Sequence, residues 1–157
     1  MENKLEFMKE AIKLSEQGMS NNDGGPFGCV VVKNGEIIGR GWNKVTGTND
    51  PTAHAEVTAI RDACNKLGTF QLEDCEIYTS CEPCPMCMGA IYWARPSKVY
   101  YANTRQDAAE IGFDDSMIYQ ELVLPLNQRK IPIEPLGRDE AIMVFKSWSN
   151  KLDKTEY

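Results

Sequence analysis

At 157 residues, 42% of them apolar and 25% charged, the chain can bury a core of its own and reads as a single domain over 1–157. Its net charge of −6 comes without a Lys/Arg cluster. That argues against a nucleic-acid substrate, which needs basic surface to neutralise phosphates, and suits a small, weakly charged ligand. No apolar run reaches membrane-span length, and Met1 to Phe7 lack the basic and apolar regions of a signal peptide, so a cytoplasmic protein without membrane contact is expected.

Leu5, Met8 and Ile12 recur at helical spacing, and Gly18 is expected to close that first helix. Gly28 to Val32 and Glu36 to Gly39 flank Asn34-Gly35, the pair that favours a type I′ turn, so a β-hairpin is predicted. A second helix is expected from about His54 to Leu67, with Gly68 as its stop. Glu76 to Ser80 reads as a strand and Pro83 to Ala94 as a helix, its prolines placed where a missing N–H is harmless. Lys98 to Ala102 reads as a further strand. The strand–helix–strand order suits a parallel crossover. Beyond Asn103 the pattern suggests a helix over 114–122, an edge strand at Ile131-Pro132-Ile133 and a last helix over 139–152. In that helix Phe145 and Trp148 are spaced to pack as core. The last five residues read as a tail.

Six cysteines in a cytosolic setting argue against a disulfide framework. Cys29, Cys64 and Cys75 sit in apolar or strand-like contexts and read as buried thiols. The other three, Cys81, Cys84 and Cys87, are close together. Cys84 and Cys87 are spaced i, i+3, so one helix face presents both sulfurs, near the helix start where the dipole favours thiolates. The single histidine, His54, stands near the start of the preceding helix. Imidazole plus two thiolates makes three protein ligands for a zinc ion and leaves a fourth position for water, the catalytic arrangement. Glu56 follows His54 by two residues, so on a helix the two side chains point roughly 200° apart. A carboxylate held off the metal yet near its water is what a general acid/base requires. Two structural readings compete: Cys81 as a fourth protein ligand closing a structural zinc site, and a non-catalytic zinc scaffold. Neither gives Glu56 a role.

The pattern His-x-Glu followed by Pro-Cys-x-x-Cys resembles that of zinc deaminases. The stretches Gly25 to Gly28, Asn49 to Glu56, Tyr78 to Cys87, Gly89 to Pro96 and Gly112 to Ser116 extend the resemblance to the cytidine-deaminase superfamily over nearly the whole chain. Within it, Gly112 to Ser116 and the terminal Glu-Tyr make the chain most similar to the bacterial guanine deaminases. The resemblance implies a three-layer α/β/α sandwich around a mixed five-stranded sheet and one Zn2+ per subunit. It implies a homodimer whose C-terminal segments exchange, and hydrolysis of guanine to xanthine and ammonia. It also implies that Phe27 stacks on the purine, Trp93 walls the pocket, Asn43 hydrogen-bonds the base, Asp115 reads its Watson–Crick edge and Tyr157 comes from the partner chain. A carboxylate accepts from the N1–H and 2-amino donors of guanine, and adenine has no N1–H. Plain structural roles stay open beside these: Phe27 and Trp93 as core, Asn43 as a turn residue, Asp114 and Asp115 as a helix-capping pair. The nearest enzymatic alternative is a tRNA adenosine deaminase, which shares the metal motifs.

Overall fold

A computed structural model describes residues 2–157. It divides into two compact units, residues 2–115 and 116–157. In the first unit, helix α1 (Glu2–Ser20) precedes strands β1 (Gly28–Lys33) and β2 (Glu36–Trp42), the short helix α2 (Val45–Thr48) and helix α3 (Ala55–Leu67). Strand β3 (Cys75–Cys81), helix α4 (Pro85–Ala94), strand β4 (Lys98–Asn103) and helix α5 (Arg105–Glu110) complete it.

The sheet order is β2-β1-β3-β4. β1 is antiparallel to both β2 and β3, and β3 runs parallel to β4 across the α4 crossover. Asn34 and Gly35 both have positive φ, 52° and 79°, as a type I′ turn demands. Alternation along β3 divides the core between the two faces of the sheet. Ile77 joins Val31, Ala55, Ala59 and Ile91 in the cluster under α3 and α4, whereas Tyr78 joins Ala11, Leu14 and Val30 under α1. Helices therefore cover both faces, giving three layers. Small residues set the spacing on the α3 side. Gly39 and Gly41 of β2 face Ala55, Ala59 and Ala63 of α3 so closely that a Cβ on either glycine would overlap helix backbone.

Three expectations fail. The mixed sheet has four strands among the described residues, not five. The segment expected to supply an edge strand, residues 131–133, is not a strand; Pro132 has no N–H to give a ladder, and two flanking residues are too few to offset it. Gly18 does not end α1, which runs on to Ser20. A Cβ at Gly18 would lie 2.5 Å from the Trp42 ring, so this glycine makes room for the indole.

The second unit contains helix α6 (Ser116–Leu122), a 3₁₀ turn (Leu126–Gln128) and helix α7 (Arg138–Asn150). Arg129 holds the turn together by donating from Nε to the Leu124 carbonyl at 3.1 Å and from a terminal nitrogen to the Leu122 carbonyl at 3.2 Å. No residue between 116 and 157 is buried. Phe145 and Trp148, expected as core, are 69% and 43% exposed. Helical spacing aligned them correctly, but the unit has no second layer to cover them. No helix among the described residues is long and apolar enough to cross a membrane.

Candidate metal centre and catalytic carboxylate

His54 and Cys84 occupy equivalent positions at the starts of α3 and α4. Each is the N-cap, with extended backbone (φ −70°, ψ 159° and φ −68°, ψ 169°). Neither side chain caps its own helix, so both are free to turn toward a common point. Pro85 begins α4 where its missing N–H is harmless, and Cys87 follows one turn in, fully buried. His54 Nδ1 lies 3.5 Å from Cys84 Sγ and 3.5 Å from Cys87 Sγ. All three donor atoms lie within 4.8 Å of one another. Zinc–sulfur and zinc–nitrogen bonds of about 2.3 and 2.05 Å at a tetrahedral angle would separate sulfur and nitrogen by about 3.6 Å. The donor set therefore fits zinc in chemistry and in spacing.

The electrostatics agree. The hydrogen bond from Cys87, together with the neighbouring imidazole, pulls the Cys84 thiol down to about 4 in spite of its burial. Donation to Cys84 and burial push Cys87 up, so the pair shares one proton, which a thiophilic cation would displace. The Cys84 sulfur in turn raises His54. Two helix N-termini converge here, and their dipoles favour negative charge.

Cys81 is outside this set. It is buried at the end of β3, with its sulfur against the Thr104 carbonyl at 3.6 Å. Burial pushes its thiol up to about 11, and the Glu56 charge adds to this. It points along the sheet toward the start of α5, not toward His54, so nothing in the geometry supports a closed four-ligand site.

Glu56 sits in the first turn of α3, 6% exposed. Its Oε1 accepts from the Thr79 hydroxyl at 3.0 Å. Burial raises the carboxyl above its ordinary value, while hydrogen bonds from its own backbone N–H, Cys87 and Thr79 oppose the rise. The carboxylate is thus beside the three donors without belonging to the cluster. The 200° helical separation is not the reason, because His54 is extended and not helical. The switch from extended to helical backbone between residues 54 and 55 sets the two side chains apart.

The expected substrate residues divide. Asn43, 6% exposed, donates its backbone N–H to the Phe27 carbonyl at 3.0 Å. Its Oδ1 accepts from the Val45 N–H at 3.1 Å. Lys44 N–H to the Ala53 carbonyl, 2.9 Å, ties this end of β2 to the loop that carries His54. Phe27 packs partly against the core and meets Phe113 edge to face, with centroids 4.9 Å apart. Asp115 is half-buried; burial and then the Cys84 charge raise it, and its own charge acts on Cys81, so it lies within electrostatic reach of the cysteines. Trp93 is 62% exposed on α4, and Tyr157 is 69% exposed in the second unit. Sequence reasoning missed Thr79 and Phe113 as neighbours of these groups. A hydroxyl on the buried face of a central strand was the available signal for Thr79.

The model of the cytidine and deoxycytidylate deaminase zinc-binding region matches residues 1–103. The chain belongs to this deaminase family. The deaminase is 56% identical to guanine deaminase of Bacillus subtilis over 96% of its own length and 97% of that protein's. The crystal structure of a Bacillus subtilis guanine deaminase superposes with a TM-score of 0.93 over 96% of both chains. Guanine deaminase from Nitrosomonas europaea is 34% identical, with a TM-score of 0.66 over 69% of this chain and 63% of that one. A tRNA-specific adenosine deaminase of Aquifex aeolicus is 42% identical over 61% of this chain and 63% of that protein.

Proposed function

We propose that this deaminase hydrolyses guanine to xanthine and ammonia, with His54, Cys84 and Cys87 as the zinc ligands and Glu56 as the proton carrier. The observation that carries the reading is the placement of Glu56: a buried carboxylate beside a three-donor cluster and outside it. Zinc held by this set supplies Lewis-acid activation of water at neutral pH. As the water oxygen bonds to C2, Glu56 takes one of its protons and passes it to the adjacent ring nitrogen; Glu56 then carries the second proton, from the new C2 hydroxyl, to the 2-amino group, so that the C2–N bond breaks, ammonia leaves and C2 becomes the carbonyl of xanthine. Its raised affinity for a proton suits an acid and base that must act in both directions.

Recognition follows from what each side chain has left to offer. The Asn43 carbonyl oxygen is engaged by Val45, which leaves its amide N–H₂ to meet an acceptor on the base. Asp115 supplies the acceptor for the N1–H edge. Phe27, steadied by the edge of Phe113, gives the ring a stacking surface. Trp93 walls the pocket. The working molecule on this reading is a homodimer in which each deaminase domain lends residues 116–157 to its partner, with Tyr157 closing the partner's pocket. A segment of that length that buries none of its residues needs another surface to be stable. The enzyme is expected in the cytoplasm.

The test is ammonia release by the zinc-loaded protein from guanine, adenine, cytosine, guanosine, cytidine and ammeline, with a tRNA carrying a target adenosine as a separate arm. Guanine should be the preferred substrate. Turnover of the tRNA with none of guanine would replace this reading by the tRNA adenosine deaminase one.

A further inference from the structure

We infer that Thr79 is a positioning residue for Glu56: its hydroxyl anchors one carboxylate oxygen to the sheet and so aims the other at the reacting atoms. This inference rests on the proton-carrying role of Glu56 proposed above. Thr79 is 1% exposed and lies on the same face of β3 as Ile77, the face that otherwise packs apolar side chains against α3 and α4. A valine would fill that position with the same shape. A hydroxyl there is unfavourable unless it is hydrogen-bonded, and its partner is Glu56 Oε1 at 3.0 Å.

The other groups near the carboxylate cannot do this work. Cys29, opposite Thr79 in the β1–β3 register, keeps its sulfur against the Val30 carbonyl at 3.9 Å. Cys87 has a single thiol proton, which Cys84 shares, and as a metal ligand it has none to give. The backbone N–H of Glu56 moves with the residue itself. Thr79 alone among these ties the carboxylate to a separate element, β3, an inner strand of the sheet. Without it the carboxylate can rotate toward the metal ligands, where it would no longer carry protons.

The experiment compares Thr79→Val, Thr79→Ser and Glu56→Gln as zinc-loaded proteins, with kcat and KM for guanine, bound zinc and the thermal midpoint measured for each. Thr79→Val should keep its zinc and its KM within about twofold while kcat falls about tenfold to a hundredfold, the range for a hydrogen bond to a charged group. Thr79→Ser, which restores the donor, should return kcat to within about threefold of the native value. Full kcat in Thr79→Val overturns the proposal, as does a serine variant as slow as the valine one. A loss confined to KM or to zinc content overturns it too. Should Thr79→Val fail to fold, Thr79→Ala against Thr79→Ser makes the same comparison, with the alanine variant expected to be the slow one. Glu56→Gln separates the two levels: activity there removes the role of Glu56 itself, whereas an inactive Glu56→Gln beside a fully active Thr79→Val removes only that of Thr79.

Discussion

Gly41→Ala tests whether the seat of α3 on β2 sets the metal geometry. A Cβ at Gly41 would lie 2.3 Å from the Ala55 carbonyl oxygen, 2.4 Å from the Ala59 nitrogen and 3.0 Å from the Ala59 Cα. All three are backbone atoms, so no rotamer change relieves the overlap. Ordinary contact begins near about 3.5 Å, so the helix must move off the strand by roughly 1 Å. That end of the helix carries His54 and Glu56, whereas Cys84 and Cys87 ride on α4. Ligand distances in a zinc site tolerate about 0.2 Å, well under the required shift. Overpacking of this kind costs about 1–3 kcal/mol, a fall of roughly 2–12 °C in Tm for a chain of this size. Zinc affinity should fall by about tenfold to a hundredfold, as when the support of a metal ligand is lost. Competition against a chromophoric chelator measures the affinity, and thermal melting with and without zinc measures the stability. Gly35→Ala is the matched control. It strains a left-handed position (φ 79°) with no neighbouring atom within 4 Å and should cost about 1 kcal/mol while leaving zinc affinity unchanged. Native zinc affinity in Gly41→Ala would refute the reasoning, because the site would then not depend on where α3 rests.

Glu56→Gln should retain zinc and lose at least about a hundredfold in kcat; loss of zinc, read by elemental analysis, would make Glu56 a ligand instead. Cys81→Ser should keep its metal, since that sulfur meets the Thr104 carbonyl; a metal-free variant would revive the closed structural site. Asp115→Asn should lower kcat/KM for guanine about tenfold or more through the lost charged acceptor, in steady-state assays against guanine and adenine side by side, and an unchanged ratio would remove Asp115 from base recognition. Deleting Tyr157 should weaken activity on the free base with an unaltered circular dichroism spectrum, and full activity would end its pocket-closing role.

Local chemistry made most of the sheet unit legible. Asn34-Gly35 forms the hairpin turn, Gly68 ends α3 at φ 64°, and the prolines around Cys84 begin α4. The three metal-binding side chains were legible for the same reason, because their spacing and their helix starts are properties of short stretches. Features decided by distant partners were not. Gly18 reads as a helix stop until the Trp42 ring appears beside it. The separation of His54 from Glu56 comes from a backbone switch that helical periodicity does not contain. Thr79 acquires meaning only when β3 brings it under Glu56, twenty-three residues away. Ile131-Pro132-Ile133 has the apolar look of a strand but nothing in the chain's own sheet takes it up. The same holds for Phe145 and Trp148, whose apolar face asks for a surface that residues 116–157 do not provide themselves.

The most direct measurement is the fate of guanine in heavy-oxygen water, followed by mass spectrometry of the base and by assay of ammonia. The zinc-loaded protein should yield xanthine carrying the labelled oxygen and one ammonia for each, and both should disappear when zinc is removed or Glu56 is replaced by Gln. Guanine recovered unchanged, or labelled xanthine formed at the native rate by Glu56→Gln, would contradict the account.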